Sequence, residues 1–119
     1  MFMRNFFSRK IFNDSSNFPR KISKIYEARF ASYGTNIKAS LWFDSEKNKV
    51  RNKILFDQIK RMTIAQPVIA DVGCGYGDFP ALLISNGIIF KSYIGYDICK
   101  SLIRSCKLRY PAKNIAFYH

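Results

Sequence analysis

The sequence predicts an α/β fold: three parallel strands joined by two helices into a half-sheet, with two more helices in front. Three observations carry this. From Pro67 onward, short apolar runs alternate with stretches of helical period. A glycine turn, Asp71-Val72-Gly73-Cys74-Gly75-Tyr76-Gly77-Asp78, divides the first apolar run from the first helical stretch. Two segments before it repeat apolar residues at helical spacing. Strand and helix in alternation imply parallel pairing through crossovers, because no tight turn can join parallel neighbours.

Residues 1–20 are basic and rich in Phe, Ser and Asn, with Asp14 the only acid. Their composition is that of an organelle transit peptide, without the apolar core of a secretory signal. The simpler reading is a poorly ordered tail whose phenylalanines dock on the domain, and Met3 is a second candidate start. A helical leader over 21–66 follows. Ile22, Ile25, Tyr26, Arg29, Phe30 and Tyr33 share a helical spacing that Gly34 stops. Past an irregular stretch with the only tryptophan, Trp42, Asp44 or Ser45 is expected to cap a second helix. Its apolar face is read as Val50, Ile54, Leu55, Ile59 and Met62, with Lys47, Lys49, Lys53 and Lys60 opposite.

The third segment, 67–119, holds the predicted sheet. Its strands are expected at Pro67–Asp71, Ser92–Asp97 and Asn114–Tyr118, and its helices at Phe79–Asn86 and Ser101–Arg109. Asp78 is expected to cap the first of these helices and Pro80 to fit its first turn. Gly87 and Tyr110-Pro111 supply the stops.

Composition narrows the chemistry. With 48% apolar residues the chain can build a core. No apolar run approaches the roughly 18 residues of a membrane span. Cys74, Cys99 and Cys106 lack Cys-x-x-Cys spacing and the only histidine is His119, so no metal or disulfide framework is expected and a reducing cytoplasm is the default. The net charge of +12 invites an RNA partner. However, Ile, Lys, Phe, Asn and Tyr fill 53 of 119 positions, the mark of an AT-rich coding sequence, which explains much of the lysine. Of the charge, 14 Lys/Arg against 5 Asp/Glu lie in residues 1–61.

A glycine triplet alone says little. Asp97, at the end of the next strand and twenty residues past Gly77, says more, because a carboxylate there can accept from both hydroxyls of a ribose held by the turn. Spacing then selects the ligand. A dinucleotide turn reads Gly-x-Gly-x-x-Gly, whereas here the sixth position is Asp78 and Asp71 precedes the first glycine by two. A carboxylate near the turn repels a pyrophosphate but can hold an ammonium. The ligand expected is a nucleoside carrying an amino acid, S-adenosyl-L-methionine; an NAD site is disfavoured by the same spacing.

D-V-G-C-G-Y-G-D-F followed by Y-I-G-Y-D-I resembles motif I and the acidic loop after it in class I S-adenosylmethionine-dependent methyltransferases. The leader Y-E-A-R-F-A-S-Y-G…L-W-F-D-S-E-K…R is similar, more loosely, to that of a bacterial subgroup. The resemblance implies a Rossmann-like sheet in which Asp71, Gly73, Cys74, Gly75 and Gly77 line the methionine end of the cofactor. It implies Asp97 at the ribose and Ile98 against the adenine, with Tyr76 and Phe79 as packing residues and no nucleophilic role for Cys74. The family sheet has seven strands, and this chain matches it through the third. The expectation is an N-terminal, truncated part of a methyltransferase, binding cofactor weakly and inactive alone, with a complementary C-terminal fragment as a possible partner. No residue presents itself as a general base, and the methyl acceptor stays open. The alternative is a basic RNA- or protein-binding module that retains a relict half-fold.

Overall fold

The structure, a computed structural model, describes residues 17–36 and 45–119. The expectations for residues 1–16, including Met3, and for Trp42 and Asp44 lie outside the described residues. Element order is α1 (Phe18–Tyr33), α2 (Ser45–Arg61), β1 (Val68–Val72), α3 (Asp78–Ser85), β2 (Ser92–Tyr96), α4 (Lys100–Arg109) and β3 (Ile115–Tyr118). The three strands form one parallel sheet in the order β1-β2-β3. Ile69 lies opposite Tyr93 and Asp71 opposite Gly95; Gly95 in turn lies opposite Phe117. The α/β half-sheet with two preceding helices is therefore as expected, with element ends displaced by a residue or a few.

Alternation along the strands assigns the two sheet faces. Ile69, Tyr93, Gly95 and Phe117 point to the buried face. There they meet Phe79 and Leu83 of α3 and Ile103 and Cys106 of α4. Tyr93, Leu83, Leu102 and Phe117 are almost wholly enclosed, and the rings of Tyr93 and Phe117 tilt against each other at 5.9 Å. The opposite face carries Val68, Val72, Tyr96 and Tyr118, all exposed among the described residues.

Two local expectations are corrected. Asp78 does not cap α3. Gly77 occupies that position in a left-handed conformation (φ 85°) without a side-chain cap bond, and Asp78 is the first helical residue. Its negative charge still meets the positive end of the helix dipole. The packed face of α2 is rotated from the one read in the sequence. Phe56 and Ile59 press on the core cluster, whereas Val50, Ile54 and Met62 stand more than half exposed. Two aligned contacts with the cluster outweigh the longer aliphatic stripe. On the polar side, Lys49 and Lys53 pair with Glu46 and Asp57 along the helix.

α1 starts at Phe18, with Pro19 in its first turn, ahead of the predicted residue 21. It buries none of its residues completely and packs beside α4.

Candidate functional site

The site grows from the end of β1. Gly73 and Gly75 take φ values of +80° and +57°, which only glycine adopts at little cost. A Cβ built on either meets nothing within 4 Å, so both open onto free space. Gly77 differs. A Cβ there would stand 2.7 Å from the Tyr110 ring, and the Tyr110 hydroxyl donates to the Gly77 carbonyl at 2.5 Å. Gly77 thus serves packing beneath α4 and lies outside both clefts described below.

The turn is pinned to β2. The N–H groups of Gly73 and Cys74 donate to the Tyr96 carbonyl at 2.7 and 3.0 Å. The Gly75 N–H donates to Asp97 Oδ2 at 2.9 Å, and the Cys99 N–H to Asp97 Oδ1 at 2.9 Å. These donors are engaged within the protein, so the turn offers a ligand shape rather than a nest of free N–H groups. An ionised carboxylate accepts about four hydrogen bonds. Asp97 therefore keeps acceptor capacity after bracing both loops.

Two cavities flank the turn and share Gly73 and Gly75. The larger, about 510 Å³, is lined by Asp97, Ile98, Val72, Tyr96 and Leu102, with Ile22 and Tyr26 of α1 across from them and His119 at the rim. That volume is typical of small-molecule sites. The smaller, about 40 Å³, holds Asp71, the backbone of Cys74–Tyr76, and Asn48, Arg51 and Asn52 of α2. Since one water needs about 10–15 Å³, the pit takes a few waters or the head of a polar group. Asp71 is oriented from beneath by the hydroxyl of buried Tyr93, which donates to Oδ2. Burial and the Asp71 charge push the Tyr93 pKa up, keeping that donor protonated.

Cys74 contributes backbone only. Its side chain is 7% exposed and points into the core, where a hydrogen bond with Cys106 and burial raise its pKa. Burial also lifts Cys99 to about 11. All three thiols are free and buried, so none is an activated nucleophile at neutral pH. Tyr76, pushed up to about 12 by burial and by Asp78, stays neutral as well. Phe79 is a core residue.

Of the residues singled out in the sequence, Gly73, Gly75, Asp97 and Ile98 meet at the larger cleft, Asp71 and the Cys74 backbone sit at the smaller pit, and Gly77 is apart. Sequence reasoning missed the α2 amides and Arg51, and set His119 aside. Their approach depends on helix orientation and strand pairing, which no local pattern encodes. Gly95 was missed for a similar reason. A Cβ there would lie 2.6 Å from the Phe117 ring and 3.0 Å from Cys74 Sγ, so glycine is what lets the turn close over the sheet.

The same fold recurs in solved proteins, methyltransferases among them. The chain superposes on phosphoethanolamine N-methyltransferase 1 of Haemonchus contortus, crystallised with phosphoethanolamine and S-adenosylhomocysteine, with a TM-score of 0.60 at 13% identity over 88% of this chain. It superposes with a TM-score of 0.50 and 18% identity, over 81% of its length, on a SAM-dependent methyltransferase from Geobacter sulfurreducens in complex with S-adenosyl-L-homocysteine. YjhP from E. coli gives 0.50 at 20% identity and the same coverage. The chain spans 22% of the first of these proteins and about a third of the other two. No family model matches the chain. No curated protein sequence matches it either. The fold is thus the Rossmann-like fold of class I methyltransferases, represented here by three of its strands.

Proposed function

We propose that this chain is the cofactor-binding part of an S-adenosyl-L-methionine-dependent methyltransferase. The observation that carries the reading is Asp97, with acceptor capacity to spare, sharing with two open glycines the lining of a cleft of nucleoside size. In this reading Asp97 accepts from the ribose hydroxyls and Ile98 lies against the base. Gly73 and Gly75 allow the backbone close approach. Asp71 attracts the ammonium of the amino-acid part, held in place by Tyr93. Arg51, on the opposite wall of the small pit, suits the carboxylate of the same zwitterion. Cys74 contributes its main chain, and Gly77 supports the turn from outside the cleft.

The bound sulfonium supplies an already activated methyl group, so this class of transfer can run on positioning alone. What this chain's residues do is bind and orient one side of the cofactor. The acceptor side has no counterpart among the described residues. Beyond β1 the sheet has no further strand among them. We therefore expect no methyl transfer by the 119-residue chain alone, and activity only with a complementary segment that completes the sheet.

The test is titration of the nitrogen-15-labelled chain with S-adenosylhomocysteine, followed by amide chemical shifts, which register weak binding. Hydrogen bonds to a charged acceptor contribute about 1.5–3 kcal/mol each. Asp97→Ala should weaken binding at least about tenfold, the equivalent of roughly 1.4 kcal/mol. Tighter binding of NAD than of S-adenosylhomocysteine would sink the reading.

A further inference from the structure

α1 meets the larger cleft in an ordered way that its lack of fully buried residues does not explain. Ser23 and Glu27, one turn apart, both grip the segment just after Asp97. Ser23 Oγ donates to the Ile98 carbonyl at 3.1 Å. Glu27 accepts from the Ser101 N–H at 3.0 Å and from the Ser101 hydroxyl. Their neighbours Ile22 and Tyr26, also one turn apart, line the 510 Å³ cleft beside Asp97 and Ile98. Residues four apart stack on one helix face. Two adjacent stripes of α1 therefore divide the work, one seating the helix on the 98–101 segment and the other closing the cleft.

We infer that α1 is a wall of the nucleoside cleft, with Tyr26 as a ligand-contact residue and Ser23 and Glu27 as positioning residues that seat it. The inference rests on the cleft reading proposed above. Tyr26 presents a ring face and a hydroxyl donor. Burial, then the Asp97 charge, holds its pKa above the ordinary tyrosine value, so the donor persists across neutral pH. The Asp97 carboxylate and the α1 grip act on the same few residues, since Asp97 braces the Cys99 N–H while Glu27 holds Ser101. A helix attached by polar contacts with no enclosed side chain opens readily. A nucleoside seated between Tyr26 and Asp97 ties it down. By reciprocity, whatever factor the ligand adds to α1 docking, loss of docking removes from ligand affinity.

The experiment is amide hydrogen exchange and chemical-shift titration of the full chain with S-adenosylhomocysteine, in the wild type, Tyr26→Ala and Glu27→Gln. Saturation should slow exchange of the amides from Ile22 to Phe30 about fivefold or more, the lower end of ordinary coupling between sites. Tyr26→Ala should weaken binding by a similar factor while leaving α1 exchange in the free protein unchanged. Glu27→Gln should speed α1 exchange in the free protein and weaken binding by the same factor. If Gly73, Gly75 and Asp97 shift while α1 exchange and both variants' affinities stay at wild-type values, the wall inference fails and the cleft reading stands. If nothing shifts at millimolar ligand, both fail.

Discussion

Single residues in this site divide by what stands opposite them. Gly75 and Gly95 illustrate the two cases. Gly75 has a left-handed backbone and empty space where its Cβ would be; Gly95 has an aromatic ring 2.6 Å away. Gly95→Ala forces Phe117 or the Cys74 turn to move, and overpacking of this kind costs about 1–3 kcal/mol. Gly75→Ala meets no neighbour and costs only the left-handed strain, about 1–2 kcal/mol. The functional consequences are expected to reverse. In urea melts Gly95→Ala should be the less stable of the two, while in titration with S-adenosylhomocysteine Gly75→Ala should be the weaker binder, since its methyl would stand in open space at a position that lines both cavities. Equal stability and equal binding would mean that neither glycine has the role its surroundings indicate.

At the scale of elements, the helices show where local pattern and tertiary contact part. α2 carries a plausible apolar stripe in sequence, yet Val50 and Ile54 face solvent and Phe56 and Ile59 do the packing. Ile54→Lys should change stability by no more than about 0.5 kcal/mol. Phe56→Ala should lower it by about 2–3 kcal/mol, short of the 3–5 for an enclosed ring because Phe56 is only partly buried. Urea melts of the two variants decide it. The seat of α1 is electrostatic in character. Burial of Glu27 opposes its charge, but hydrogen bonds from Ser101, Cys99 and Lys100 outweigh it and hold its pKa below the ordinary value. A carboxylate with a depressed pKa stabilises the docked state above its unfolded pKa, about 4.3, and loses that contribution as pH falls through the lower docked value. Protection of the α1 amides, corrected for intrinsic exchange, should therefore decline below about pH 4 in the wild type. In Glu27→Gln it should start lower and show no such decline.

These cases also mark how far the sequence was readable. The strands, both crossover helices and the pairing of the glycine turn with Asp97 followed from periodicity and spacing, because each depends on residues close in the chain. The need for glycine at 95 was not readable, since it is imposed by Phe117 across the sheet. Gly77 fits the triplet in sequence but serves Tyr110 in space. The cap of α3 went to Gly77 rather than Asp78 because the turn enters the helix through a left-handed residue, a conformation that glycine adopts at the least cost. The wall formed by Tyr26 needed the approach of a helix some seventy residues away from Ile98.

At the scale of the whole molecule, the described residues form a half-sheet with one face packed under α3 and α4 and the other largely exposed. α3 and α4 contribute to the core on one side, while Val68, Val72, Tyr96 and Tyr118 leave the other side apolar and open among the described residues, with Val72 80% exposed. Among the described residues β1 pairs only with β2, so within that part of the chain its other edge presents backbone groups without a strand partner, next to those side chains. An apolar face continuous with a free strand edge invites pairing with another chain. Charge limits this association, because like-charged copies repel at low salt and the net charge is +12. The expected behaviour is concentration-dependent self-association that grows as salt is raised, the opposite of what an ion-paired interface would do. Sedimentation velocity at low and high salt measures it. Val68→Lys with Val72→Lys places charge on both ends of the exposed β1 stripe, the device natural sheets use to blunt an edge. The double variant should sediment as a monomer at both salts, with the urea midpoint little changed because neither side chain contributes to the buried face. Association of the double variant at wild-type strength would show that the bare sheet face is not the contact.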